Sequence, residues 1–125
     1  DIRVPAPSAD AAGRYTRFRR TAAEHRPLVN VALSVRRSGA RCHEARLVVG
    51  ASTPIPARVA RAEAFLAGKA VTAEVAAEAA DIASADILAV SDSRGSEDYR
   101  RDMVRVVARR TIAQLFDLAI DGDKQ

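Results

Sequence analysis

An α+β fold, a three-stranded antiparallel sheet packed on three helices as a two-layer sandwich, is predicted by three features of this sequence. Two runs of period-two alternation flank Ser38-Gly39, a proline-bearing extended run follows them, and three capped segments with apolar faces come after it. Strands grouped before helices mark an α+β arrangement rather than an alternating α/β one. The 125 residues are enough for one hydrophobic core and too few for two.

Taken in order, residues 1–13 read as a linker from a missing N-terminal domain, because Pro5, Pro7, Ser8 and Gly13 break any regular element and Asp1 opens the chain without a methionine. Residues 14–120 form the single domain, and 121–125 are expected to fray. From Arg14 to Arg26 the chain is strongly basic, carries Tyr15 and Phe18, and is read as a short helix followed by a loop that Pro27 limits. Leu28 to Arg36 then alternates, placing Val29, Val31, Leu33 and Val35 inward. Cys42 to Gly50 alternates again with Ala45, Leu47 and Val49 inward, so the two strands make a hairpin through Ser38-Gly39. Thr53 to Val59 is a short edge run, where its prolines cost no ladder bonds.

The first helix spans Ala60 to Leu66 and stops at Gly68, which accepts positive φ. Thr72 caps a second, alanine-rich helix to about Ala83. Ser96 caps the third, whose first turn carries Glu97 and Asp98 against the positive end of the helix dipole. Tyr99 is expected to pack at its start, Met103 and Val107 to cover the hairpin, and the helix to continue through the apolar run Ile112 to Ile120.

The hydrophobic content is 48% but aromatics are only 4%, so the core is built from Val, Leu, Ile and Ala. A single cysteine rules out an intrachain disulfide framework and points to a reducing, cytoplasmic setting, and no apolar run is long enough to span a membrane. Dispersed glycines leave no G-x-G-x-x-G or Walker turn, so this chain by itself should hold no dinucleotide. Cys42 and His43 are adjacent on a strand and point to opposite faces, which prevents joint metal binding. Ser52 lacks the second glycine of an esterase elbow. His25, between Glu24 and Arg26, sits in a polar loop. No catalytic or metal site is expected from these residues. The net charge of +4 permits an acidic partner, and Arg101, Arg105 and Arg109, four apart, form a basic helix stripe. Glu97 and Asp102 answer that stripe and no aromatic lies beside it, so a self-paired face is favoured over a nucleic-acid-binding module. A free-standing α+β dimerisation scaffold is the other alternative.

The run Asp92-Ser-Arg94-Gly95-Ser96-Glu-Asp-Tyr99-Arg100-Arg101 resembles the D-x-R-G-S-x-x-Y-R-R signature near the end of the FAD-binding, or medium, subunit of molybdenum hydroxylases, the group that includes carbon monoxide dehydrogenase and xanthine dehydrogenase. Tyr15-x-Arg17 is similar to that family's Y-x-K motif and Asn30-Val-Ala32 to its first strand. Thr53-Pro-Ile-Pro-Ala-Arg58 and Glu63-Ala-Phe-Leu66-Ala-Gly68 are similar to its P-x-P-x-R and E-x-x-L-x-G motifs. Thr21 stands where the family has an arginine, with Arg20 one place early, and His25 stands for an acidic residue. The resemblance implies the C-terminal domain of such a subunit, closing over FAD held by an N-terminal domain, with Arg17, Arg20 and His25 toward the flavin. It further implies molybdenum-binding and iron-sulfur partners, electron transfer to FAD in the complete enzyme, and a possible homo-oligomer, with no membrane or nucleic acid involved.

Overall fold

The structure is a computed structural model that describes residues 2–4, 6–19, 27–87, 89 and 96–119. Four antiparallel strands form one sheet in the order β1-β2-β3-β4: β1 (Ala11–Phe18), β2 (Val29–Ser38), β3 (Arg41–Gly50) and β4 (Ala57–Arg58). Three helices follow, α1 (Ala60–Leu66), α2 (Ala73–Asp86) and α3 (Glu97–Leu115). The α+β class and the three helices agree with the sequence reading; the sheet has one strand more.

The additional strand is β1, where a short helix was expected from Arg14 onward and where residues 11–13 were assigned to the linker. Tyr15 and Arg17 alternate with Thr16 and Phe18, and Thr111 of α3 donates its hydroxyl to Thr16 Oγ1 at 3.0 Å, fixing that face toward the helices. As an edge strand, β1 only half-buries Ala12, Thr16 and Phe18 on its inner face and leaves the other face exposed, so its arginines obscure the alternation.

The hairpin forms as the patterning required. Val29, Val31, Leu33 and Val35 on β2 and Cys42, Ala45, Leu47 and Val49 on β3 are buried. Gly39 supplies the positive φ of 57° that the turn needs. A register shift at Arg36/Arg37 marks a bulge, and Arg37 beyond it stacks on Phe116 and pairs with Asp117. β4 is only two residues long, as expected of a proline-flanked edge.

All three helices lie on one side, with α3 across β1 and β2, α1 across β3, and α2 bridging α1 and α3. The β3 side chains are therefore covered by α1 rather than by Met103 and Val107. Thr72 and Ser96 cap α2 and α3 as predicted, accepting from Val75 N at 3.2 Å and Tyr99 N at 3.1 Å. The third helix ends at Leu115, short of Ile120, because Asp117 turns to φ 57° and Leu118 N returns to Ala113 O at 2.7 Å. That Schellman-type closure uses an aspartate where glycine is usual. Residues 120–125, the expected frayed tail included, lie outside the described residues.

Candidate functional site

With the helices on one face, the other face of the sheet is open. Alternation turns Asn30, Ala32, Ser34 and Arg36 of β2 outward, with Glu44, Arg46, Val48 and Gly50 beside them on β3 and Tyr15 and Arg17 on β1. The two ends of this face differ in charge. At the hairpin end Arg36 pairs with Asp10 at 3.3 Å and with Glu44 at 3.6 Å, and Arg46 pairs with Glu44 at 3.3 Å. The Ser8 hydroxyl and the Arg36 guanidinium hold the Asp10 carboxyl below its usual range. At the other end Arg17 is exposed and makes no ion pair among the described residues, and Tyr15 is 59% exposed. Among the described residues no carboxylate answers the Arg17 charge.

Behind that end sits a buried arginine. Arg100 is 0% exposed on the first turn of α3, where a bare cation would be costly, and its Nη1 donates to Ala51 O at 2.9 Å and Leu28 O at 3.2 Å. Ser52 Oγ donates to the same Leu28 oxygen at 2.7 Å and is itself fully buried. Ala51 is held at φ 65°. Arg100 and Ser52 thus tie the entry to β2 and the exit from β3 to the start of α3, and Ser52 is a structural hydroxyl rather than a nucleophile.

A second constellation braces the β3 edge. Arg58 donates Nη2 to Glu63 Oε1 at 2.7 Å and Nε to Oε2 at 3.1 Å, while Leu47 N donates to Oε2 at 2.9 Å. Burial pushes the Glu63 carboxyl up, but the Arg58 bonds and the Leu47 amide outweigh it and leave it lowered. The arginine of P-x-P-x-R and the glutamate of E-x-x-L-x-G therefore act as one unit, completed by buried Leu66 and by Gly68 at φ 82°.

Of the signature residues, Ser96, Tyr99, Arg100 and Arg101 are described, while Asp92, Arg94 and Gly95 lie outside the described residues, as do Arg20 and His25. Tyr99 is 41% exposed and not the packing residue expected. The basic stripe does not stand free: Arg101 reaches Ser84 O at 2.8 Å and Glu97 at 3.3 Å, and Arg105 bridges Asp81 at 3.0 Å and Asp102 at 3.1 Å. Arg109 Nε is buried without a partner among the described residues. Cys42 is buried and His43 exposed, as the strand alternation requires, and burial raises the Cys42 thiol. No group of metal-ligating side chains occurs among the described residues. Sequence reasoning missed the depth of Arg100, the Glu63 bond to the Leu47 amide, and the Asn30–Gly50 pairing; a glycine closing a strand was the available signal for the last.

Comparison with known proteins gives a consistent result. Residues 13–115 match the family described as the CO dehydrogenase flavoprotein C-terminal domain. The nicotine 6-hydroxylase medium subunit of Paenarthrobacter nicotinovorans is 31% identical over 108 residues, which are 86% of this chain and 38% of that protein. Quinoline 2-oxidoreductase from Pseudomonas putida 86 matches with a TM-score of 0.82 and 28% identity, over 91% of this chain and 39% of that one. Carbon monoxide dehydrogenase from Hydrogenophaga pseudoflava, in a form lacking the Mo-pyranopterin moiety, matches with a TM-score of 0.83 and 30% identity, again over 91% and 39%. The chain spans 38–39% of the length of these relatives.

Proposed function

The chain belongs to the CO dehydrogenase flavoprotein C-terminal domain family, and we propose that it closes over FAD bound by an N-terminal domain in the medium subunit of a molybdenum hydroxylase. The family match over residues 13–115 carries this reading. The fold supports a covering role: one face is sealed by helices, and the other is open, with the exposed Arg17 at one end. FAD, when bound, supplies the electron-accepting chemistry; this chain's residues shape and shield one side of its site.

The residues present fit part of that cofactor. The pyrophosphate needs backbone amides from a glycine-rich turn, and the described glycines stand in strands, the hairpin turn and the stop of α1. In the proposed assembly the amide cradle comes from the N-terminal domain. In this reading Arg17 lies toward the flavin, and the proposal adds Arg20 and His25, which lie outside the described residues. Partner subunits carrying molybdenum and iron-sulfur groups complete the proposed assembly, which operates in the cytoplasm. No helix among the described residues is long and apolar enough to cross a membrane. The nucleic-acid alternative gains no support from a stripe whose first two arginines are bound to carboxylates and carbonyls.

Expression of the complete reading frame that encodes this chain tests the proposal. A yellow protein that releases FAD on denaturation is expected, and a colourless one would overturn it. Residues 1–125 alone should show no submicromolar FAD binding by flavin fluorescence titration.

A further inference from the structure

One row across the open face is unlike the others. The register sets Arg17 opposite Asn30 and Asn30 opposite Gly50. The alternation that buries Val29 and Val31 turns Asn30 outward, and its carboxamide lies over Gly50. A Cβ at position 50 would overlap Asn30 Oδ1 and stand 3.3 Å from Cγ and 3.5 Å from Nδ2. A carboxamide offers two donors and an acceptor oxygen, and no described residue hydrogen-bonds the one on Asn30. The row is fixed from behind, since Arg100 and Ser52 hold Ala51, next to Gly50, and Leu28, two residues before Asn30. The backbone of the row is held in place, and among the described residues the Asn30 carboxamide is left unused.

Resting on the reading that this face covers a flavin, we infer that Asn30, seated on Gly50 and flanked by Arg17, hydrogen-bonds the imide edge of the isoalloxazine. That edge presents carbonyl, N–H and carbonyl side by side. A carboxamide matches one carbonyl and the N–H with its own donor and acceptor, and the guanidinium takes a neighbouring carbonyl oxygen. The adenine of the same cofactor also pairs with an asparagine carboxamide, but it has no carbonyl for Arg17 to meet. A phosphate would accept from Arg17 and from Asn30 Nδ2 but leave the acceptor Oδ1 without a donor. The imide alone uses all the groups in the row.

The test uses the flavin-loaded full subunit. Asn30→Ala removes the carboxamide, and Gly50→Ala leaves it in place chemically but pushes it off its seat. Asn30→Ala should weaken FAD binding by roughly fivefold to a hundredfold, the worth of two neutral hydrogen bonds, and Gly50→Ala by roughly threefold or more. Both should also shift the visible flavin bands in the same direction, while Ser34→Ala on the same face changes neither. Weaker binding with unshifted bands would assign the contact to adenine and overturn the imide assignment. Unchanged affinity and bands in Asn30→Ala would overturn the inference itself, whereas a wild-type subunit without flavin would overturn the reading beneath it. Should Gly50→Ala fail to fold, Asn30→Asp replaces it: a carboxylate facing imide carbonyls must bind FAD more weakly than Asn30→Ala, and binding equal to wild type would refute the contact.

Discussion

Arg100→Met removes a buried cation while keeping most of its volume, so it isolates the electrostatic part of the link between α3, Leu28 and Ala51. Among the described residues two charge-assisted bonds are lost, at 2.9 Å to Ala51 O and 3.2 Å to Leu28 O. Hydrogen bonds to charged groups contribute about 1.5–3 kcal/mol each. Against this, methionine relieves the desolvation of the guanidinium, and replacing a buried charge by an apolar side chain can recover about 1–4 kcal/mol. The Leu28 carbonyl keeps its bond from Ser52 at 2.7 Å, whereas the Ala51 carbonyl loses its arginine. The balance is a loss of about 2–3 kcal/mol, roughly one charged bond left unreplaced. Ser52→Ala alone should cost about 1 kcal/mol, since Arg100 still serves the shared oxygen. The double variant should exceed the sum of the two, because only then is Leu28 O left unbonded. Urea unfolding of all four proteins at matched m-values measures these differences. A loss below 0.5 kcal/mol for Arg100→Met, on the order of an ordinary surface change, or strict additivity in the double variant, would refute the shared-acceptor argument.

Leu33→Ala and Leu47→Ala, at 2% and 0% exposure, should each cost about 2–5 kcal/mol in the same urea assay, and a loss under half a unit in both would contradict the register. The Glu63 carboxyl is lowered in the fold, so its contribution is fully present above its ordinary 4.5 and is lost as pH falls through the lower folded value. Glu63→Gln should therefore be less stable at neutral pH and lose less on acidification, and parallel acid melts for both proteins would exclude the Arg58 and Leu47 contacts as the cause. In a reconstituted full subunit, Arg17→Glu with Arg20→Glu should reduce FAD retention or domain docking, more so at low salt where repulsion is less screened. Normal flavin content and docking at low ionic strength would remove these arginines from the site.

The hairpin, the three helices and their caps were legible in the sequence because each is decided by residues close along the chain. Val29 to Val35 alternate whatever lies opposite, Thr72 and Ser96 cap amides three residues on, and Gly68 stops a helix by its own backbone freedom. The long signature around Ser96 and Arg100 likewise pointed to the family. Tertiary structure alone decided the rest. β1 is a strand because β2 gives it a ladder and Thr111, 95 residues away, meets Thr16; its own basic sequence, only half-buried on its inner face, carries little periodic signal. Arg100 reads as a surface residue beside Arg101 until its partners 72 and 49 residues earlier are brought under it. The row of Arg17, Asn30 and Gly50 draws on three strands, and strand register, fixed by burial on the opposite face, is what places a cation, a free carboxamide and a glycine side by side.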